Sequence, residues 1–210
     1  MRAFVVGISG LVGEALARQL CEDSRVTEVR AFARRSLIWE HPKLNLKIID
    51  FEDLLSHSEF LEGDHIFCCL GTTMRKAKTE AAFQKIEKDY VLRLARMAAM
   101  KGIKGFTYVS SRGAKLESPF FYFRVKAEIE AELSRTPFQI LRIYQPGILL
   151  GKRKEFRPLE KLIELFFKLP LGFQSRATPV SSLVASMMDE AFDPEAFGKK
   201  VISTFLQNPS

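Results

Sequence analysis

Short apolar runs alternate along the chain with segments in which apolar residues recur at helical spacing. The apolar runs, several of them alternating or rich in β-branched residues, predict strands at residues 4–6, 27–34, 44–50, 65–73, 105–111, 138–151 and 199–205. Helical spacing occupies residues 14–22, 81–101, 122–134 and about 158–168, and begins again near residue 181. Strands and helices in this order predict an α/β fold, with a doubly wound, mainly parallel sheet and helices on both faces.

A glycine turn separates the first predicted strand from the first predicted helix. Its sequence, AFVVGISGLVG, places glycines at three-residue spacing. Such a turn gathers backbone N–H groups at the positive end of a helix dipole, and the missing side chains let a pyrophosphate come close. Glycine turns are also ordinary chain punctuation, but the position between strand and helix favours a dinucleotide site in a Rossmann-type fold. The residues of this turn expected to bind the cofactor are Gly7, Ser9, Gly10, Leu11, Val12 and Gly13.

The second predicted strand ends in two arginines, Arg34 and Arg35. In a dinucleotide fold this strand end lies beside the adenosine ribose, where an acidic residue binds a 2′-hydroxyl and an arginine neutralises a 2′-phosphate. No acidic residue stands at this position, so the pair favours NADP(H) over NAD(H). The alternative is a solvated basic turn.

The third predicted strand ends at Asp50, which is followed by Phe51. Two interpretations stay open. A carboxylate and an aromatic ring at a strand end are suited to holding an adenine, whereas Asp50 alone is suited to capping the helix that follows.

Two later strand ends complete the expected cofactor site. Leu70, Gly71 and Thr72 follow the buried fourth strand, and a glycine beside small hydroxyl residues suits close passage of a ligand. Pro146 and Gly147 form a turn that can bring backbone to a nicotinamide amide. We expect residues 1–150 to form the cofactor-binding core of a single domain, and residues 151–210 a smaller segment on the substrate side.

A tyrosine and a lysine four residues apart open the helix after the fifth strand. Tyr122 and Lys126 share one helical face, so the ammonium favours the phenolate and brings the pKa of the tyrosine toward a range useful for acid–base chemistry. An isolated pair of this kind is usually surface packing. Its place after Ser110 and Ser111, on a chain with a glycine turn, favours a catalytic role.

Aromatic and sulfur-containing residues near these strand ends are interpreted mainly as core. Phe120, Phe121 and Phe123 flank Tyr122, and their alternative role is the wall of an apolar substrate cleft. Cys68 and Cys69 lie inside a buried strand, and there we expect small core residues rather than nucleophiles.

Composition and charge narrow the possible partners. The 32 Lys and Arg against 25 Asp and Glu give a net charge of +7, but the basic residues are scattered, so we expect no nucleic-acid binding. The three cysteines form no C-x-x-C pair, and we expect neither metal nor disulfides. We see no signal-peptide pattern and no apolar run of about 18 residues, and so expect a cytoplasmic protein without a membrane span.

Taken together, the motifs resemble the short-chain dehydrogenase/reductase superfamily, specifically its atypical members, with the closest likeness to the Tat-interacting-protein branch of NADPH-binding, oxidoreductase-like proteins. The blocks that carry this resemblance are GISGLVG, ARR, FCCLGTT, KDYVLRLA, VSSRGA, YFRVKAEIE and PGILLGKR with the following RP. They span residues 5 to about 158, and the last fifty residues match more loosely. One departure is Gln145, where related proteins often have an arginine before Pro-Gly.

The resemblance implies an NADP(H)-dependent oxidoreductase that moves a hydride to or from a small carbonyl or alcohol substrate. The catalytic tyrosine and lysine fall on Tyr122 and Lys126, and the lysine also holds the cofactor ribose. The serine that binds the substrate carbonyl falls on Ser111 or Ser110, of which Ser111 is preferred. The alternative function is an NADPH-binding regulatory protein with a protein partner and little or no catalysis. A monomer or a homodimer is expected in either case.

Overall fold

A parallel β-sheet of seven strands forms the centre of the molecule in the computed structural model, which describes residues 1–151 and 177–204. The described strands are β1 (Arg2–Val6), β2 (Glu28–Ala33), β3 (Leu44–Ile48), β4 (His65–Cys68), β5 (Gly105–Val109), β6 (Ile140–Pro146), β7 (Ile148–Leu150), β8 (Ala177–Pro179) and β9 (Gly198–Thr204). The main sheet has the order β3-β2-β1-β4-β5-β6-β9 with every pair parallel, while β7 and β8 pair separately. The predicted doubly wound sheet is confirmed, and its strand order reverses between β1 and β4, where such folds open a crevice.

Helices cover both faces of this sheet. They are α1 (Leu11–Glu22), a 3₁₀ segment (Phe51–Phe60), α2 (Met74–Ala77), α3 (Glu80–Gln84), a π-helical segment (Lys85–Asp89), α4 (Tyr90–Met100), α5 (Phe121–Arg135) and α6 (Val180–Phe192). Buried residues of α1 and α6 share one apolar cluster with the sheet, and those of the 3₁₀ segment, α4 and α5 share the other. Each face of the sheet therefore has its own core.

The single long helix predicted over residues 81–101 is interrupted. The π-helical segment separates α3 from α4, and it turns Glu87 inward until only 1% of its surface is exposed. A π-helical turn shifts the side chains that follow it to another face, which apolar periodicity does not reveal. The predicted end of the helix is confirmed by Gly102, whose φ of +70° is the left-handed conformation expected just after a helix.

The strand predicted over residues 138–151 is also broken. It divides at Pro146 and Gly147 into β6 and β7, and the Gly147 N–H leaves the main sheet to donate to Thr178 Oγ1 at 3.1 Å. A proline has no N–H to continue the ladder, which accounts for the division at this point.

The C-terminal part of the chain completes the sheet and packs against α1. The strand predicted at residues 199–205 is confirmed as β9, beside β6, and the helix predicted near residue 181 is confirmed as α6. The helix predicted at about residues 158–168 lies outside the described residues. Within residues 1–151 and 177–204, the structure has no helix of the length and apolarity needed to cross a membrane.

Candidate functional site

The glycine turn brings three backbone segments into very close contact. Gly7 has a φ of +84°, and a Cβ added there would lie 2.4 Å from the Cys69 carbonyl oxygen, in the loop after β4. A Cβ on Gly13 would lie 2.3 Å from the Gly7 oxygen. Side chains at these positions would force the turn, the loop and α1 apart, so the close packing requires glycine.

The N-terminus of α1 opens beside this turn. Gly10 is the N-cap and supplies no side-chain hydrogen bond, while Ser9 and Gly10 are exposed. The first N–H groups of a helix have no partner within it, so an uncapped terminus offers donors to an anion. These donors and the glycine-lined turn make a cradle that fits a pyrophosphate. The N–H groups concerned belong to Leu11, Val12 and Gly13.

The two arginines after β2 have exposed side chains that could bind a ligand. In the described part of the chain, neither Arg34 nor Arg35 forms an ion pair or a side-chain hydrogen bond. Their position at the carboxyl end of β2, next to β1 in the sheet, is the one from which the adenosine half of a dinucleotide is contacted.

The contacts of Asp50 and Phe51 are those of a helix cap and a core residue. The Asp50 carboxylate accepts a hydrogen bond from the Glu52 N–H at 3.0 Å, the capping interaction that was one of the two expectations. The Phe51 ring is only 3% exposed and packs on Tyr90, with 5.5 Å between ring centroids. Packing against Tyr90 leaves little of this ring exposed, and a role of Phe51 in holding an adenine stays a prediction.

The loop after β4 runs from Cys69 through Leu70, Gly71 and Thr72 beside the glycine turn. The Cys69 N–H donates to the Val6 carbonyl at 2.8 Å, which ties the loop to the end of β1. The Thr72 N–H donates to the carboxylate of Glu87. This loop therefore lies between the glycine turn and the π-helical segment, at the crevice.

The cysteines of this region are structural. Cys68 is fully buried, and burial raises the pKa of its thiol to about 12. Burial also raises the pKa of Cys69. A thiolate is the nucleophilic form, so these residues are poor nucleophiles, in agreement with the core role predicted for them.

Lys126 is buried at the centre of the site, with 3% of its surface exposed. Its Nζ lies 2.7 Å from Glu87 Oε2, donates to the Tyr108 hydroxyl at 2.9 Å and donates to the Val109 carbonyl at 3.4 Å. Burial alone would lower the pKa of the ammonium, but the Glu87 carboxylate, with Tyr108 and Tyr122, raises it well above its ordinary value. The ammonium thus has two hydrogen-bond acceptors and an ion-pair partner, and the lysine stays charged.

Tyr122 stands one helical turn before Lys126, as predicted, at the start of α5. The Lys126 Nζ is 6.0 Å from the centroid of its ring. The ring is half-buried and contacts the rings of Phe83 and Phe123, with centroids 5.8 and 5.3 Å away. Phe120 is 49% exposed, so this aromatic group continues to the surface.

The two serines after β5 have different surroundings. Ser110 is buried, and its hydroxyl donates to the carboxylate of Glu130 on α5. Ser111 is half-buried, and its hydroxyl donates to the Arg112 carbonyl at 3.3 Å. The Ser111 hydroxyl is therefore the more exposed of the two, in line with the preference stated from sequence.

Glu130 also contacts the residue that departs from the family pattern. The Gln145 amide donates to both carboxylate oxygens of Glu130, at 3.0 and 2.9 Å. Burial raises the pKa of this carboxyl, against the opposing effects of the Ser110 and Gln145 hydrogen bonds and of the Lys126 charge. The neighbouring Pro146 carbonyl accepts from the Arg112 N–H at 2.9 Å. A carbonyl oxygen has two lone pairs, so the Pro146 carbonyl could also accept a hydrogen bond from a nicotinamide amide.

Three polar residues of the site were missed by sequence reasoning: Glu87, Tyr108 and Glu130. Only Glu87 left a recognisable signal. It stands four residues after Phe83 and four before Val91, so it interrupts an otherwise apolar helical face. A carboxylate at a buried helical position requires a cationic partner, but the pattern does not reveal which cation.

Comparisons with known proteins agree with the motifs. The chain is 37% identical over 197 residues to Protein HTATIP2 of Rattus norvegicus, covering 91% of this chain and 81% of that protein. It is 31% identical over 160 residues to Protein FMP52, mitochondrial, of Candida albicans, covering 74% and 70%. Its fold matches that of MoeE5 in complex with UDP-glucuronic acid and NAD, with a TM-score of 0.77, 18% identity, and coverage of 98% and 76%. The last likeness concerns the fold alone.

The fungal relatives correct one expectation. The similar proteins from Candida albicans and Saccharomyces cerevisiae are both named mitochondrial. The expected cytoplasmic location rested on the lack of a signal-peptide pattern and of a long apolar run, and on this comparison it is wrong.

The family is shown by the extent of the match. The model of the NAD dependent epimerase/dehydratase family matches residues 3–126, which include the glycine turn, the loop after β4, Glu87, Tyr122 and Lys126. The predicted resemblance to an NAD(P)-binding, oxidoreductase-like family is confirmed by this match and by the relative from rat. The chain belongs to the NAD dependent epimerase/dehydratase family.

Proposed function

We propose that this protein is an NADP(H)-dependent oxidoreductase that interconverts a small carbonyl compound and its alcohol. The observation that carries the proposal is a continuous set of contacts at one edge of the sheet. Gly7 touches the loop after β4, Thr72 of that loop binds Glu87, and Glu87 pairs with Lys126, one turn from Tyr122. The cradle for a pyrophosphate and the Tyr–Lys pair thus belong to one site.

Each side chain has a distinct role in this proposal. The Tyr122 hydroxyl gives a proton to the substrate oxygen during reduction, and the Ser111 hydroxyl donates a hydrogen bond to the same oxygen. The Lys126 ammonium supplies a fixed positive charge beside the phenol. A bound nicotinamide dinucleotide supplies the hydride, so the protein contributes position and electrostatics.

Arg34 and Arg35 support the preference for NADP(H) within this proposal. Their guanidinium groups are exposed and unpaired in the described structure, at the strand end where an arginine accommodates a 2′-phosphate. An arginine binds phosphate through charge-assisted hydrogen bonds, which an uncharged 2′-hydroxyl cannot match.

The test is NADPH binding followed by turnover. NADPH fluorescence on titration measures binding, and NADPH oxidation over a panel of aldehydes and ketones measures activity. We expect Tyr122→Phe to bind NADPH as the wild type does but to reduce carbonyls at least about 100-fold more slowly, since a positioned acid contributes roughly 10²–10⁴-fold.

Tyr144→Phe is the matched control, because the Tyr144 hydroxyl donates to the Ser186 carbonyl on α6 at 2.7 Å, in the core on the face of the sheet opposite to α5. Equal turnover by Tyr122→Phe and the wild type would contradict the assignment of the proton donor.

A second function, NADPH-dependent regulation of a protein partner without catalysis, is favoured by one observation. The Lys126 ammonium is already engaged within the protein, by an ion pair with Glu87 and by two hydrogen bonds. Tight NADPH binding by both the wild type and Tyr122→Phe, with turnover by neither, would support this second function over the first.

A further inference from the structure

Glu87 is the most deeply buried carboxylate near the site. It lies in the π-helical segment, with 1% of its side chain exposed. Taking a carboxylate out of water is strongly unfavourable unless the charge is paired and hydrogen-bonded. The position of Glu87 therefore depends on the groups that surround it.

Those groups come from two different parts of the site. Glu87 Oε1 accepts from the Thr72 N–H, and Oε2 lies 2.7 Å from Lys126 Nζ. The backbone at Gly71 also lies against the carboxylate, since a Cβ there would be 3.5 Å from Oε1. One side chain thus joins the loop after β4, on the cofactor side, to α5, on the proton-donor side.

The ion pair also sets the charge beside Tyr122. The other titratable groups that face it are Cys68 on β4, Tyr108 on β5, and Tyr122 and Glu130 on α5. Burial raises the pKa of the Cys68 thiol to about 12 and raises the pKa of Tyr108 as well. Neither group is therefore charged near neutral pH, and Glu87 is the anion in direct contact with Lys126.

We propose that Glu87 is a positioning residue of this site, which fixes Lys126 relative to the loop after β4 and offsets the charge of Lys126 beside Tyr122. The catalytic meaning of this role rests on the proposed function. The link between loop and lysine does not, since it concerns binding and folding.

Glu87→Gln separates the two contacts while keeping the size of the side chain. Thr72 and Lys126 contact different carboxylate oxygens, and an amide keeps only one oxygen, so its NH2 group must face either the Thr72 N–H or the Lys126 ammonium. We expect the Kd for NADPH, measured by NADPH fluorescence, to rise at least fivefold. Glu87→Asp, which keeps the charge, is expected to bind NADPH more tightly than Glu87→Gln.

Glu128→Gln is the matched control. Glu128 also pairs with a lysine, Lys88, across the same two elements, with 2.6 Å between the charged atoms, but both side chains are about one-third exposed, at 38% and 30%. We expect an unchanged Kd for NADPH in this variant. An equal Kd in Glu87→Gln and Glu128→Gln would overturn the proposal.

A double-mutant cycle in urea tests the pairing without any cofactor. Glu87→Gln and Lys126→Met each leave one buried charge without its partner, whereas the double variant leaves none. We expect the double variant to be destabilised by less than the sum of the two single changes. If Glu87→Gln does not fold, the double variant is still expected to fold, and additive losses or an unfolded double variant would overturn the pairing.

The pH profile tests the effect on charge. In Glu87→Gln the charge of Lys126 is no longer offset, so we expect the alkaline limb of the reduction rate to move to lower pH, with no shift in Glu128→Gln. A merely structural role would leave this limb in place. If the wild type reduces no carbonyl, the proposed function fails, while the NADPH affinity and the unfolding cycle still decide the role of Glu87.

Discussion

At the scale of single residues, Arg34 gives the most direct test of the proposed preference for NADPH over NADH. We expect Arg34→Ala to raise the Kd for NADPH about tenfold or more and to leave the Kd for NADH nearly unchanged, since a charge-assisted contact to phosphate contributes on the order of 1.5–3 kcal/mol. NADPH and NADH fluorescence titrations measure both constants.

Arg96→Ala is a suitable control for this change, because Arg96 is also exposed but lies on α4. It should alter neither constant. Equal losses of NADPH and NADH affinity in Arg34→Ala would count against the 2′-phosphate assignment.

Sequence reasoning reached some residues of the site and not their partners. The spacing of Tyr122 and Lys126 was sufficient to predict that they lie together, because two residues four positions apart on a helix share one face whatever packs against it. The partner of Lys126 was not predictable, since Glu87 lies on a separate element and reaches the lysine only through the packing of the π-helical segment on α5. The neighbour of Phe51 was not predictable for the same reason, since Tyr90, which buries its ring, lies on α4.

At the scale of elements, the turn between β1 and α1 requires glycine at position 7, and this requirement can be tested. Gly7→Ala places a residue at a φ of +84° and a Cβ 2.4 Å from the Cys69 oxygen, so the turn or the loop after β4 must move. We expect a loss of unfolding free energy in urea that exceeds the roughly 1–2 kcal/mol of left-handed backbone strain alone, together with weaker NADPH binding.

Gly102→Ala isolates the strain contribution. Gly102 has a φ of +70°, but no atom lies within 4 Å of an added Cβ. This variant should lose only about 1–2 kcal/mol and keep its NADPH affinity. Similar losses in the two variants would mean that the contact with the loop after β4 is unimportant.

Element boundaries were predictable wherever local chemistry set them. Gly102 ends α4 as expected, because a glycine after a helix adopts the left-handed conformation at no steric expense. The separation of β6 from β7 lies at Pro146 and Gly147, where the sequence predicts a turn. The interruption by the π-helical segment was missed, because it depends on a partner distant in sequence, Lys126.

At the scale of the whole molecule, buried His65 makes stability depend on pH. Its Nε2 lies 2.7 Å from Thr107 Oγ1, its ring stacks near Phe67, and burial lowers its pKa from 6.5 to about 3. A folded-state pKa below the unfolded one gives stability that is complete above pH 6.5 and is lost as the pH falls toward 3.

We expect this residue to reduce the unfolding free energy by up to about 1.4 kcal/mol per pH unit in that window. Urea unfolding at several pH values measures the slope. His65→Gln should lose the contribution of His65 to this slope. His57 is a half-buried residue of the 3₁₀ segment, and His57→Gln should keep the slope of the wild type. A slope in His65→Gln equal to that of the wild type would rule out His65 as its source.

The overall topology was the most predictable level. Alternating strands and helices, with a glycine turn after the first strand, leave few arrangements other than a doubly wound parallel sheet, because crossover connections between parallel strands are nearly always right-handed. The contacts of α6 with α1 were not predictable, because the apolar face of a helix does not specify which neighbour covers it.

The last strand of the sheet has a consequence for how the protein folds during synthesis. Buried Arg142 on β6 donates to the Gly198 carbonyl at 2.8 Å and to Glu190 at 2.6 Å, and both of these acceptors leave the ribosome long after Arg142 does. Until then the outer edge of β6 is an open template for strand pairing, with a guanidinium that still lacks two of its acceptors. The nascent chain therefore passes through a stage that is vulnerable to aggregation and suited to chaperone protection, and this stage ends only when β9 pairs with β6.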